Sequence, residues 1–425
     1  MAKGTDVKEK RAVTAIAVAA IFVTMVACAG PSAGTGGLAP SDGVTVTTVA
    51  PPPSAVPKAP LNADGTIKFD DPRLGDAIAA RLGVGGGVTP DDAAKLADLD
   101  ISGLGITSLV GIEYCVNLNS LVAESNQIRS VAPLAALTAL RNLDLQDNAI
   151  ADATPLGSLG NLRQLNLMYN LVSDMTPIGQ LVGLTSLDMW GNRLTDISPV
   201  ARLTNLQTFP IFIDNPVMDY GPILNMFDVI FANWVSNPPN GGTYSQETID
   251  DNREQFANTY ADYQVAIGKT KQVYTSIISD GMTDIQKEYA IINWLMANVS
   301  YSDDISGHPD IYTSFILGKA VCDIYSLSFD YLATMAGLDS YMVWGGEGAS
   351  HAWNIVGIDG VYYQVDVTWA DPPGLPHDYR YINVSDTTMA ALHNGAYPML
   401  SPFRYPPTTA DMPEAEQSPY YATGT

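Results

Sequence analysis

Apolar residues recur along the first half of the chain with a period of 22. Leu96, Leu118, Leu140, Leu162, Leu184 and Leu206 open successive units. The fourth position of each unit reads Leu99, Leu121, Leu143, Leu165, Leu187 and Phe209, and the sixth reads Ile101, Ala123, Leu145, Leu167, Met189 and Ile211. The ninth holds Asn126, Asn148, Asn170 and Asn192, with Leu104 and Asp214 at the ends, and Pro133, Pro155, Pro177 and Pro199 share the sixteenth. Alternating apolar positions predict a short strand in each unit, its inner face packed on the next coil, with each Asn amide bonded to backbone where the chain leaves the strand. No coil can bury its apolar face alone, so stacking is what makes the array fold.

Cys115 falls in the column of Leu137, Leu159, Leu181 and Leu203 and is expected to fill core. The outward strand positions, from Ser120 to Trp190, form a polar and acidic face with Met168, Tyr169, Asp188 and Trp190 gathered late. Exposed aromatics there point to a protein- or glycan-binding patch; the alternative is an array that spaces and shields its neighbour.

After Pro216 the beat stops. Ser245 to about Ile278 reads as helix, and Thr283 three residues before Gln286 is a capping box that opens another, with Tyr289, Ile292, Leu295, Met296 and Val299 at helical spacing. Cys322 opens a helix that runs to Gly337; a first-turn position favours thiolate over thiol, while a buried structural cysteine is the other reading. His351–Val356 reads as a strand, Asp359-Gly360 as a two-residue turn, and Val361–Trp369 as the returning strand. Pairing Ile358 with Val361 sets Asp366 opposite Trp353, so His351 and Asp366 share one face of the hairpin as diagonal neighbours. An imidazole with an orienting carboxylate can take and return the proton of a thiol nucleophile.

Two resemblances follow from these residues. The 22-residue columns over about Leu96 to Pro216 resemble the leucine-rich repeats of bacterial internalin-like surface proteins, and the stretch from Phe69-Asp70-Asp71 to Thr89-Pro90-Asp91-Asp92 resembles the helical cap that precedes such arrays. The order Cys, His, Asp, with His351-Ala-Trp-Asn and Asp366-Val-Thr-Trp, resembles the transglutaminase-like superfamily of papain-related folds over about Thr283 to Asn383. That resemblance implies Cys322 as nucleophile, His351 as general base and acid, and Asp366 as the orienting residue, acting on amide or peptide bonds through a thioester. It also implies that Ala320 and Ile324 replace two glycines common around the nucleophile, with Ile324 placed to narrow access to the thiol. The alternative is a degenerate domain that serves only as a scaffold for a surface adhesin or receptor.

The fold class expected is therefore multidomain α/β: a leucine-rich-repeat solenoid followed by an α+β, papain-like unit. Boundaries fall at 1–27 (signal), 28–61 (tether), 62–95 (cap), 96–216 (six repeats), 217–260 (connecting helical segment), 261–400 (transglutaminase-like) and 401–425 (Pro- and Tyr-rich tail). Of the other histidines, His308 and His393 are expected as solvated surface groups and His377 in a turn or at a cleft rim; Trp344, Trp353 and Trp369 are expected in core or lining an acyl groove.

Composition narrows the partners. With 45 acidic and 21 basic residues the formal charge is −24, which sets aside phosphate backbones and anionic lipid surfaces. Three cysteines and four scattered histidines leave little for a zinc cage, and neither metal nor cofactor is expected. Lys3, Lys8, Lys10 and Arg11 precede an apolar stretch from Ala12 to Ala27, an export signal with an uncleaved anchor as the alternative. Val26-Ala27-Cys28 resembles a bacterial lipoprotein box, which implies lipidation of Cys28 and a place on the outer face of the cell membrane; Met25 stands where Leu is usual.

Overall fold

A computed structural model of the protein describes residues 58–207, 212, 214–223, 226, 246–305, 311–345, 351–393, 408, 410–413 and 416. The export signal, Cys28, His308 and most of the tail lie outside the described residues.

The repeats give strands β1 (Asp98–Asp100), β2 (Ser120–Val122), β3 (Asn142–Asp144), β4 (Gln164–Asn166) and β5 (Ser186–Asp188), parallel and in register, each residue against the one a full unit later. On the opposite side, 3-10 turns such as Ala132–Ala136, Thr154–Ser158 and Ser198–Arg202 carry Pro in the first turn, where its fixed φ suits the turn and its missing N–H is not needed. The leucine columns are sealed between these layers, and Cys115 is buried with them; burial, with Glu113 adding its charge, pushes its thiol up to about 12.

Buried asparagines stitch the coils together. Asn148 Oδ1 accepts the Ile128 N–H at 2.9 Å, while its Nδ2 donates to Ala123 O and Leu145 O at 2.9 and 3.1 Å. Asn126, Asn170 and Asn192 repeat the pattern. In the last coil the ladder position is Asn215, not Asp214: Asn215 Oδ1 accepts from Leu194 N at 3.0 Å and Nδ2 donates to Met189 O and Phe212 O. Phe212 likewise takes the place expected of Ile211. That coil holds one extra residue, because the site needs a donor and an acceptor on one side chain and an ionised aspartate only accepts.

The cap uses α1 (Pro72–Leu82) and α2 (Pro90–Ala93), capped by Asp71 and Thr89, and buries Leu74 and Ile78 over the first coil. It also takes in residues 58–61: Ala59 is buried, and its N–H and C=O bond to Glu113 and to the Tyr114 hydroxyl.

The second unit starts with α3 (Gln246–Ile277) and α4 (Asp284–Asn298), the latter opened by the Thr283/Gln286 capping box. Strand β6 (Ser300–Tyr301) pairs in parallel with β7 (Lys319–Ala320), the short helix α5 (Ile311–Phe315) lying between them in sequence. Next come α6 (Cys322–Met335), which Gly337 ends at φ +75°, and an antiparallel sheet of β8 (Asp339–Gly345), β9 (His351–Ile358), β10 (Val361–Val365) and β11 (Ile382–Val384), ordered β11-β10-β9-β8. Strand β10 stops four residues earlier than the alternation suggests. Asp366 accepts the Trp369 N–H and caps the short helix α7 (Val367–Ala370), so Asp-x-x-Trp acts as a helix start. Helix α8 (Asp386–Leu392) closes the unit against β10.

The two units pack directly. The Tyr331 hydroxyl of α6 donates to Val217 O at 2.8 Å, Arg193 of the solenoid pairs with Asp339 of β8 and stands 4.3 Å over the Tyr341 ring, and Leu171 packs beside Tyr341, Val343, Trp353 and Ile355.

Candidate active site

The hairpin of β9 and β10 forms as its turn residues require. Asp359 and Gly360 take φ +50° and +82°, and the register runs from Val361↔Ile358 to Val365↔Asn354. Beyond the last pair the Asp366 side chain reaches diagonally to His351: His351 Nε2 lies 2.6 Å from Asp366 Oδ2. Burial alone would raise the Asp366 pKa, but the His351 imidazole, with His393 behind it, outweighs burial and holds the carboxyl below its ordinary range. The carboxylate is therefore the acceptor and Nε2 carries the proton. Burial pulls His351 down, yet the charge and hydrogen bond of Asp366, joined by a hydrogen bond with the Cys322 side chain, hold it above its ordinary 6.5. With Nε2 committed to Asp366, the ring nitrogen left for Cys322 is Nδ1.

Cys322 is the first residue of α6 and is partly exposed. Its N-cap, Val321, is extended and offers no side-chain bond to the first turn. Ile324 is 3% exposed and belongs to the core cluster, so it points away from the thiol and does not narrow the approach to it. Ser326 Oγ donates to Cys322 O at 2.9 Å, and Asn354 Nδ2 of β9 donates to Ser326 O at 3.1 Å, which ties the helix of Cys322 to the strand of His351. Tyr301 pairs with Ala320 across β6 and β7, and extended Val321 sets Ala320 and Cys322 on one side, so the phenol stands beside the thiol. Burial pushes that phenol up to about 12, with charge at Cys322 adding to the effect.

The other sequence candidates separate. Trp353 is buried and bonds through Nε1 to Gln364 Oε1 at 2.5 Å. Trp369 is 39% exposed with its ring centroid 5.8 Å from that of His351, and so walls the cleft. Trp344 lines a cleft between the units with Tyr169, Arg193 and Tyr341; its volume of about 20 Å³ is the scale of a single water. His377 is at the rim, 3.4 Å from Asp371 Oδ1, which places it near α7.

His393 is not a solvated surface group. It is 7% exposed, its Nε2 is 3.2 Å from Asp366 Oδ2, and its ring stacks on Trp369 at 4.1 Å. Nothing local in the sequence signals this, because α8 reaches the site by docking across β10. The donor atoms of His351, Asp366 and His393 lie within 4.8 Å of one another. The His351–Asp366 separation of 2.6 Å is that of a direct hydrogen bond; two ligands of one tetrahedral zinc stand about 3.3 Å apart.

On the solenoid, the Tyr169 and Trp190 rings are 5.6 Å apart, and Trp190 Nε1 donates to Asp214 Oδ2 at 2.7 Å. Asp188 accepts the Trp190 N–H at 3.0 Å, and burial, with Asp144 adding to it, pushes its pKa up to about 6. Met168 is half-buried on the same face. Tyr169 also borders the cleft between the units, so the patch expected from the sequence abuts the second unit.

Residues 271–367 match the family model of the transglutaminase-like superfamily. No curated protein matches the chain. Among solved structures, an internalin from Listeria monocytogenes is 32% identical over 41% of this chain and 51% of its own, with a TM-score of 0.36. An internalin C2 from the same organism is 29% identical over 37% of this chain and 80% of its own, with a TM-score of 0.31. A leucine-rich-repeat protein from Leptospira interrogans is 21% identical over 32% of this chain and 42% of its own, with a TM-score of 0.27. The chain is a leucine-rich-repeat solenoid followed by a transglutaminase-like domain: the first rests on its own in-register ladder, the second on the family model.

Proposed function

We propose that the second unit is a cysteine enzyme that acts on carboxamide or peptide carbonyls through a thioester. Cys322 Sγ attacks the carbonyl carbon and its proton passes to His351 Nδ1; the charge on Asp366 makes the imidazole a stronger acceptor. The backbone N–H of Cys322, at the start of α6, faces the developing oxyanion. His351 returns the proton to the departing ammonia or amine as the C–N bond breaks and the thioester is left. Water or a second amine then attacks, His351 takes its proton, and the C–S bond breaks as that proton passes to sulfur and restores the thiol. Tyr301, 40% exposed, and Trp369 flank the pair with aromatic walls that suit a flat carboxamide.

The observation that supports this reading is the 2.6 Å His351–Asp366 bond, on an imidazole that also counts the Cys322 side chain among its hydrogen-bond neighbours. It is tested by ammonia release from a glutamine-containing peptide, with and without an added primary amine. Parent protein should release ammonia and Cys322→Ala should not; equal release by both defeats the reading.

In this proposal the repeats hold a protein or glycan partner through the Tyr169–Trp190 pair, which Asp214 orders in advance. The chain is exported and anchored through lipid on Cys28, which metabolic labelling with palmitate tests against Cys28→Ala.

A further inference from the structure

We propose that His393 is a positioning residue for Asp366, a fourth member of the site that holds the carboxylate on which His351 depends. This rests on Cys322, His351 and Asp366 being the reacting set. Asp366 is fully buried, and a buried carboxylate needs several donors to keep its charge. Its Oδ1 accepts from Trp369 N at 3.1 Å, and its Oδ2 faces two imidazoles, His351 at 2.6 Å and His393 at 3.2 Å. The first contact fixes one oxygen. The second and third fix the rotation of the carboxylate about its own axis, and with it the angle at which His351 presents Nδ1 to Cys322.

His393 is itself held on several sides. Its ring lies on Trp369 at 4.1 Å and 22°, and Tyr381 meets it edge-on at 5.8 Å. It closes α8, a helix capped by Ser385, whose N–H donates to Asp411 at 2.7 Å. Gln364 joins the same helix to the core of the site: its Oε1 accepts from Trp353 and its Nε2 donates to Asp386 at 2.7 Å. A polar ring this deeply buried, its Nε2 set 3.2 Å from a carboxylate that already has a partner, is accounted for if it orients that carboxylate.

The test compares alkylation of Cys322 by iodoacetamide at neutral pH, followed by peptide mapping, in parent protein and in His393→Phe, His393→Gln and His351→Ala. Phe keeps the stack on Trp369 without a donor; Gln restores one. The proposal expects His393→Phe to slow alkylation about tenfold, His393→Gln to recover to within about threefold of the parent, and kcat on an amide substrate to fall with KM unchanged. If His393→Phe matches the parent while His351→Ala does not, the positioning role is wrong and the catalytic reading stands. If His351→Ala also matches the parent, both are wrong. A wild-type measurement covers variants that fail to fold: nitrogen NMR of the imidazole rings should find His393 with its proton on Nε2, and a proton confined to Nδ1 overturns the proposal.

Discussion

His351 Nε2 and Asp366 Oδ2 meet at 2.6 Å although the residues stand 15 apart in sequence. A two-residue turn at Asp359-Gly360 and five paired positions on either arm are enough to bring them together, so the orienting contact is built within one hairpin.

Asp366→Asn should lower kcat on an amide substrate by about 10²–10⁴-fold, since the imidazole loses the charge that raises its proton affinity. It should also lower stability in a defined pH window. The folded pKa of His351 is raised, so its contribution is fully present below the ordinary histidine range and is lost as pH rises through the folded value. The folded pKa of Asp366 is lowered, so its contribution is present above the ordinary aspartate range and is lost as pH falls through the folded value. Thermal melts from acid to alkaline pH should show the gap between parent and variant widest near neutrality and closing at both extremes.

The asparagine ladder gives a prediction that separates two adjacent residues. Asn215→Ala should destabilise the protein by about 2 kcal/mol in urea unfolding, because it leaves Leu194 N buried without this partner and takes one of the donors from Met189 O and from Phe212 O, which keep Asn192 Nδ2 and the Tyr220 hydroxyl. Asp214→Asn should cost less, since Asp214 does not occupy the ladder.

How much of this was legible in the sequence divides along local and non-local lines. The ladder, the capping box and the His351–Asp366 face depend on spacing within one repeat, one helix turn or one hairpin, and a linear pattern carries them. The one-residue slip at Asn215 was hidden because Asp214 fits the count while only Asn215 fits the chemistry. The end of β10 at Val365 was hidden because apolar alternation continues into Trp369, although Asp366 was already a residue suited to capping. His393 was hidden altogether: its burial comes from helix packing across the sheet, and no period in the sequence reports that.

Between the units, Arg193 and Asp339 form an ion pair that is still about one-third open to solvent. A double-mutant cycle with Arg193→Ala and Asp339→Ala should give a coupling of about 1 kcal/mol or less, most of which salt removes. Each single change should cost more than the coupling, because Arg193→Ala also removes the contact over the Tyr341 ring and Asp339→Ala also removes the acceptor of the Tyr341 and Tyr362 hydroxyls, at 3.2 and 2.6 Å.

Glu288 is fully buried with Asn383 Nδ2 donating to Oε2 at 2.8 Å, and burial pushes its pKa up to about 8. A carboxyl whose folded pKa is raised loses stability as pH climbs from its unfolded value to its folded one. Glu288→Gln should flatten that slope: near-equal melting to the parent in mild acid, and a higher melting temperature above neutrality.

The central claim is that the fold sets Cys322 beside an oriented imidazole, and the rate at which that thiol reacts reports on it most directly. Trapping with a thiol electrophile at neutral pH, followed by peptide mapping, should label Cys322 quickly and leave Cys115, sealed in the solenoid core, untouched until denaturant is added. His351→Ala should slow the Cys322 reaction by about a hundredfold. Equal rates in parent and His351→Ala, or labelling of Cys322 only after unfolding, would contradict the account.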